Sequence, residues 1–154
     1  MKGRKRHLLV DTQGLLLEAV VHSANMQDRH AGRLVLSQGH HRPGGPYGHH
    51  LQRLKLIWVD AGYTGDLEKW TQKAYGWTLQ VVKHPDNHLH KKNRQHKGFM
   101  VLPRRWVVER TFGWLSRYRR LSRDYEYLLL TSECLIYAAM VRLMLRRLAA
   151  KLSC

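Results

Sequence analysis

Short apolar runs broken by turn-forming clusters fill the first half of the chain, and longer helical stripes fill the second. His7–Asp11 and Leu15–His22 are apolar and β-prone, and Thr12-Gln13-Gly14 between them reads as the turn of a hairpin. Asn25 or Asp28 is placed to cap a helix running to about Ser37. Gln38–His50, rich in Gly, His and Pro, reads as a loop. Lys55–Asp60 is a short buried strand ending in an acid, followed by a turn, Ala61–Gly65. Asp66 then caps a helix, Leu67–Tyr75, with Leu67, Trp70 and Ala74 on one face and Gly76 as its stop. Trp77–Lys83 is the next strand, so Leu54–Lys83 is a strand–helix–strand unit of the length that makes a parallel pair. His84–Gly98 is a polar, basic surface excursion. Pro103 stands where a helix begins, and the pattern predicts helices over Arg104–Leu121 and Ser132–Lys151, the latter capped by Thr131 or Ser132. There is no internal repeat. This order gives a mixed α/β fold with long terminal helices, in one domain spanning 1–154.

Charge changes the picture more than composition does. The hydrophobic fraction of 44% is enough for a core, but 27 Lys and Arg stand against 11 Asp and Glu, a net +16. That imbalance predicts association with a polyanion, most simply nucleic acid. Two cysteines, Cys134 and Cys154, imply no disulfide framework and fit a reducing cytosol. Leu8–Val10 is too short for a signal peptide or membrane span, and the apolar stretch Cys134–Leu148 is interrupted by Arg142, Arg146 and Arg147, so no membrane partner is expected.

Two acids stand out. Asp60 lies at the carboxyl end of a hydrophobic strand before a glycine-containing turn, the sheet edge where ligands collect; a plain turn-capping role fits that position equally well. Glu109 is the one acid between Lys91 and Arg123, a stretch with eleven Lys or Arg and a net +10. Taken alone, a surface ion pair with Arg105 would account for it. Gly113, one helical turn on, costs roughly 1 kcal/mol in a helix interior and suggests a close approach beside the Glu. Carboxylates kept inside so basic a chain suit a cation: Mg²⁺ takes one or two carboxylates with waters and phosphate oxygens. A pair of such ions stabilises both the attacking and the leaving oxygen of a phosphoryl transfer, while surrounding Lys and Arg hold the phosphodiester backbone.

Three segments carry a resemblance: Gly3-Arg-Lys-Arg-His-Leu-Leu-Val-Asp11, Trp58-Val-Asp-Ala-Gly-Tyr-Thr-Gly65, and Pro103-Arg-Arg-Trp-Val-Val-Glu-Arg-Thr-Phe-Gly-Trp-Leu115, followed by Arg119-Arg120-Leu121 and Asp124-Tyr125-Glu126. In order and spacing, over nearly the whole chain, they resemble DDE-type transposases of bacterial insertion sequences, and the Pro103–Leu115 segment is the most specific piece. The resemblance implies an RNase H-like fold and binding to element ends. It also implies DNA cleavage and strand transfer to a target with Mg²⁺ or Mn²⁺, in a bacterial cytoplasm at the nucleoid. It places Asp60 as the second catalytic and metal-binding acid, Glu109 as the third, and Arg105 as the arginine that orients that Glu or touches phosphate. Where relatives often carry a lysine seven residues after the Glu, this chain has Ser116 beside Arg117.

The family's first aspartate lies upstream of the Gly-Arg-Lys-Arg-His segment, on a first strand. The resemblance therefore implies the C-terminal part of a catalytic domain, with that strand and its acid missing and a sheet edge exposed. Asp11 precedes Asp60 by the same 49 residues that separate Asp60 from Glu109, but its setting is that of a turn residue. DNA-facing positions are Lys91, Lys92, Arg104, Arg105, Arg110, Arg117, Arg119 and Arg120, with Trp106 a candidate for base stacking. Further partners are a second copy of the chain or the upstream part. The competing expectation is a non-catalytic DNA-binding remnant that inhibits a full-length transposase. Eleven histidines invite a metal reading, but His40-His41, His49-His50, His84, His88, His90 and His96 come without a zinc-ligand pattern and read as solvated loop residues. Tyr63, just past Asp60, either contacts phosphate or packs.

Overall fold

The computed structural model describes residues 3–41, 51–63, 65–82 and 106–153. Strands β1 (Arg4–Val10) and β2 (Leu16–Ser23) form the expected antiparallel hairpin, with His7 opposite Val20 and a register shift between Leu9 and Val10. The turn is built by Asp11, whose Oδ1 accepts from the N–H of Gln13 and of Leu15, both at 2.8 Å, while Gly14 takes φ 79°.

Helix α1 (Asp28–His41) runs four residues past the predicted end at Ser37, so Gln38–His41 is helix rather than loop. Tertiary contact overrides the glycine here. Gly39 is buried with Leu51 close to where its Cβ would be, and His40 stacks on Tyr75 at 4.4 Å. Residues 42–50, the rest of that predicted loop, lie outside the described residues.

Strand β3 (Leu56–Val59), helix α2 (Asp66–Tyr75) and strand β4 (Thr78–Val81) give the parallel pair read from the sequence, Ile57 opposite Leu79. Two details differ. Asp66 is the first helical residue, and Gly65 (φ 102°) holds the capping position without a side-chain bond. Thr71, not Ala74, is buried beside Leu67, its hydroxyl donating to the Leu67 carbonyl at 2.7 Å. Gly76 ends α2 in the left-handed region, as expected.

The predicted helix Arg104–Leu121 is two helices, α3 (Trp106–Ser116) and α4 (Arg119–Ser122). The chain breaks so that Tyr118, with an extended backbone, can donate its hydroxyl to the Ala139 carbonyl at 3.2 Å and Leu121 can enter the core. Helix α5 (Leu129–Leu152) begins earlier than predicted, and its cap position is Leu128 without a side-chain bond. Ser132 is therefore inside the helix and buried, not a cap.

The hairpin is the middle layer. Leu9 and Val20 pack with α1, α2, β3 and β4 around Ile57, Leu67, Trp77 and Leu79. Ala19 and Val21 pack with α3, α4 and α5 around Leu115, Leu121, Ile136 and Met140. Alternation along each strand sends successive side chains to opposite layers. The outer edge of β2 is closed by α5: Tyr137 Oη accepts from the Ala19 N–H at 3.1 Å, and Glu133 Oε1 from the Val21 N–H at 2.8 Å. Such capping blocks further strand pairing on that side. The described strands thus form two two-stranded sheets in a mixed α/β fold.

Candidate active site

Asp60 emerges at the carboxyl end of β3 with an exposed side chain. Its Oδ1 accepts from the Gly62 N–H at 2.9 Å, which starts the single helical turn Ala61–Tyr63. The turn-capping role weighed for Asp60 in the sequence is present, at the sheet edge where the sequence placed it. The Tyr63 ring lies against α1, where a Cβ at Gly32 would come within 2.9 Å of it. Its hydroxyl hydrogen-bonds Nδ1 of His7 on β1. Tyr63 therefore packs, one of the two roles open to it.

This turn brings in a residue the sequence reading used only as a helix cap. A Cβ at Gly62 would stand 3.1 Å from Asp60 Oδ1 and 3.3 Å from Asp28 Oδ2, so the two carboxylates both lie beside the Gly62 Cα, where a side chain would crowd them. Asp28 also accepts from Lys5 Nζ at 2.8 Å, and that bond holds its pKa below the ordinary carboxylate value.

Behind the acids lies a buried histidine pair. His7 and His22 stack with centroids 4.8 Å apart. His22 Nδ1 donates to the Ser23 carbonyl at 2.8 Å, and Nε2 of both rings is buried without a partner among the described residues. Burial and the neighbouring His22 push the pKa of His7 down, with Asp28 and Asp60 opposing. Burial and the same two acids push Tyr63 up, so it remains a phenol and donates its proton to the neutral His7 ring. From the sequence, only His40-His41, His49-His50 and the later histidines carry a reading, and these two have no assigned role although both fall on predicted strands. The available signal was position, since both sit in apolar β-prone runs at inward places.

Glu109 lies in the first turn of α3, exposed. Helix α3 is fixed on the hairpin turn by Thr111, buried, whose hydroxyl donates to the Gly14 carbonyl at 2.7 Å. Asp60 and Glu109 thus belong to elements packed on opposite faces of the hairpin, and nothing in the described geometry brings their carboxylates together. The close approach expected at Gly113 does not occur: a Cβ there would meet open space.

The predicted cationic surface divides. Lys91, Lys92, Arg104 and Arg105 lie outside the described residues. Arg110 is engaged internally, sandwiched between Trp106 (4.3 Å) and Trp114 (4.9 Å) and donating to the Gln13 carbonyl at 2.7 Å. Arg120 pairs with Glu126 at 2.7 Å. Arg117 and Arg119 are exposed, and Trp106 shows 43% of its surface.

Asp60 and Asp28 supply the hard oxygen donors that Mg²⁺ or Mn²⁺ prefers. Among the described residues no three His, Cys, Asp or Glu side chains form a metal cage. No described helix is long and apolar enough to cross a membrane.

The model of the transposase DDE domain matches residues 1–144. A curated protein of Burkholderia cepacia named "Putative transposase for insertion sequence element IS402" is 31% identical over 124 residues, 80% of this chain and 54% of that protein. No solved structure matches the chain. The chain belongs to the DDE transposase family of insertion sequences. It spans about half the length of the curated relative it matches.

Proposed function

We propose that this chain is part of a transposase that binds insertion-sequence ends and carries out metal-dependent DNA cleavage and strand transfer. The observation that carries the reading is Asp60, exposed at the carboxyl end of β3 with the Asp28 carboxylate facing it across Gly62, in a chain of the DDE family. By the family's pattern Asp60 and Glu109 would hold the metal together, which requires Glu109 to be brought to Asp60 from the other face of the hairpin, and Mg²⁺ or Mn²⁺, when bound, would supply charge stabilisation at the attacking and leaving oxygens of the phosphodiester. Arg117 and Arg119, with Lys91, Lys92, Arg104 and Arg105, hold the DNA backbone. Arg110, held between two tryptophans and bonded to the Gln13 carbonyl, supports the hairpin turn, while Arg120, exposed beside Glu126, remains with the DNA-facing positions.

The first acid comes from an added strand. Because α5 closes the outer edge of β2, the hairpin accepts a new strand only beside β1, the strand that carries His7. A strand there would lie between β1 and β3, bring a carboxylate toward Asp60, and join the two sheets into one RNase H-like sheet.

The test is Mg²⁺- or Mn²⁺-dependent nicking of DNA by the chain joined to an upstream segment that supplies this strand. Glu109→Gln is expected to abolish nicking and leave DNA binding nearly intact. Nicking that survives Glu109→Gln overturns the assignment of Glu109. Binding without nicking in the joined wild type points instead to a remnant that occupies DNA ends.

A further inference from the structure

Asp60 is exposed at the end of β3, where an aspartate has several rotamers open to it. The turn that follows selects among them. Asp60 Oδ1 accepts from the Gly62 N–H at 2.9 Å, and the Asp60 carbonyl from the Tyr63 N–H at 3.3 Å, so the carboxylate points where Ala61–Tyr63 is set. A single 3₁₀ turn has little rigidity of its own and must be held from outside.

Tyr63 is where it is held. Its ring lies against α1 in room left by Gly32, since a Cβ there would stand 2.9 Å from the ring. It meets the His7 ring edge-on, centroids 5.8 Å apart, and its hydroxyl donates to His7 Nδ1. The histidine end is fixed in turn: His7 is buried, lies opposite Val20 in the hairpin and stacks on His22, whose Nδ1 donates to the Ser23 carbonyl. Lys5, two residues earlier on the same face of β1, donates to Asp28 Oδ1 at 2.8 Å and to the Met26 carbonyl at 3.3 Å. One face of one strand thus holds both neighbours of Gly62, the start of α1 through Lys5 and the end of the turn through His7.

Phe and Leu would fill the places of Tyr63 and His7 without taking a hydroxyl and an imidazole out of water. What the polar pair adds is direction, because a hydrogen bond constrains angle as well as distance and apolar contact does not. We infer that Tyr63 and His7 are positioning residues for the Asp60 carboxylate, an inference that rests on Asp60 being a metal ligand. Neither acts on the cation directly. Their bond orients the carboxylate before a divalent cation arrives, which removes part of the ordering cost of binding.

The experiment is titration of Mn²⁺ into the isotopically labelled chain, with affinity read from broadening of the Ala61 and Gly62 amide signals, at a temperature where every variant is folded. Tyr63→Phe is expected to weaken Mn²⁺ binding about tenfold. Tyr118→Phe is the matched control: it removes a hydroxyl bonded to the Ala139 carbonyl in the opposite layer, and should leave the affinity unchanged. His7→Gln, whose side-chain oxygen accepts from the same hydroxyl, should keep more affinity than His7→Leu. Because one bond carries the effect, Tyr63→Phe/His7→Leu should bind no more weakly than the weaker single variant. Wild-type affinity in Tyr63→Phe, an equal loss in Tyr118→Phe, or losses that add in the double variant overturns the inference. Wild-type broadening that Asp60→Asn leaves unchanged, or no broadening at all, overturns instead the assignment of Asp60, and the inference falls with it.

Discussion

The hydroxyl of Tyr63 hydrogen-bonds Nδ1 of His7, tying the turn that follows Asp60 to the first strand. Removing the hydroxyl leaves a buried ring nitrogen without its donor. Tyr63→Phe is therefore expected to destabilise the fold by about 1–3 kcal/mol, read as a lower urea midpoint at unchanged slope. An unchanged midpoint would show that the bond contributes nothing to holding the turn.

The same pair sets a pH dependence. Folding lowers the pKa of His7 through burial, with His22 and Lys5 adding repulsion and Asp28 and Asp60 opposing. The unfolded chain takes up a proton at this residue near its ordinary pKa of about 6.5, whereas the folded chain resists until a lower pH. Below that ordinary value the unfolded state binds more protons, so stability is fully present above it and falls as pH falls toward the folded pKa. His7→Leu should flatten this part of the profile between about pH 5 and 7, and a slope identical to wild type would contradict the assignment.

Two glycines should respond to alanine in opposite ways. At Gly32 the new Cβ would press within 2.9 Å of Leu67 and Tyr63, an overpacking expected to cost about 1–3 kcal/mol. At Gly113 it meets open space inside a helix, and the substitution should stabilise by up to about 1 kcal/mol. Thermal unfolding of the two variants checks both signs.

The contact between α3 and the hairpin turn rests on Thr111. Thr111→Val keeps the volume but strands the Gly14 carbonyl, and should cost about 1–3 kcal/mol. Gly14→Ala should cost more, because its φ is 79° and its Cβ would stand 2.8 Å from the Thr111 hydroxyl. If Gly14→Ala proved the milder change in chemical denaturation, this picture of the contact would be wrong.

Local pattern was enough for the hairpin and the parallel pair: β1 and β2 alternate around a turn with Asp11 and Gly14, and β3 and β4 flank a helix stopped by Gly76. Asp60 was legible for the same reason, as an acid ending an apolar strand. Features set by contacts between distant elements were not. Helix α1 continues through Gly39 because Leu51 and Tyr75 hold it there. The break at Arg117 and Tyr118 depends on Ala139 of another helix. Asp28 and Asp60 both come to lie beside Gly62 only because α1 and the turn after β3 meet, and His7 and His22 become neighbours only through the hairpin register.

The central claim is that Asp60 anchors a divalent cation. Titration of Mn²⁺ into the isotopically labelled chain tests it without requiring catalysis. The amide signals of Ala61, Gly62 and Tyr63, and those of the first turn of α1 around Asp28, should broaden first, and Asp60→Asn should remove that effect. Broadening centred elsewhere, or unchanged by Asp60→Asn, would contradict it.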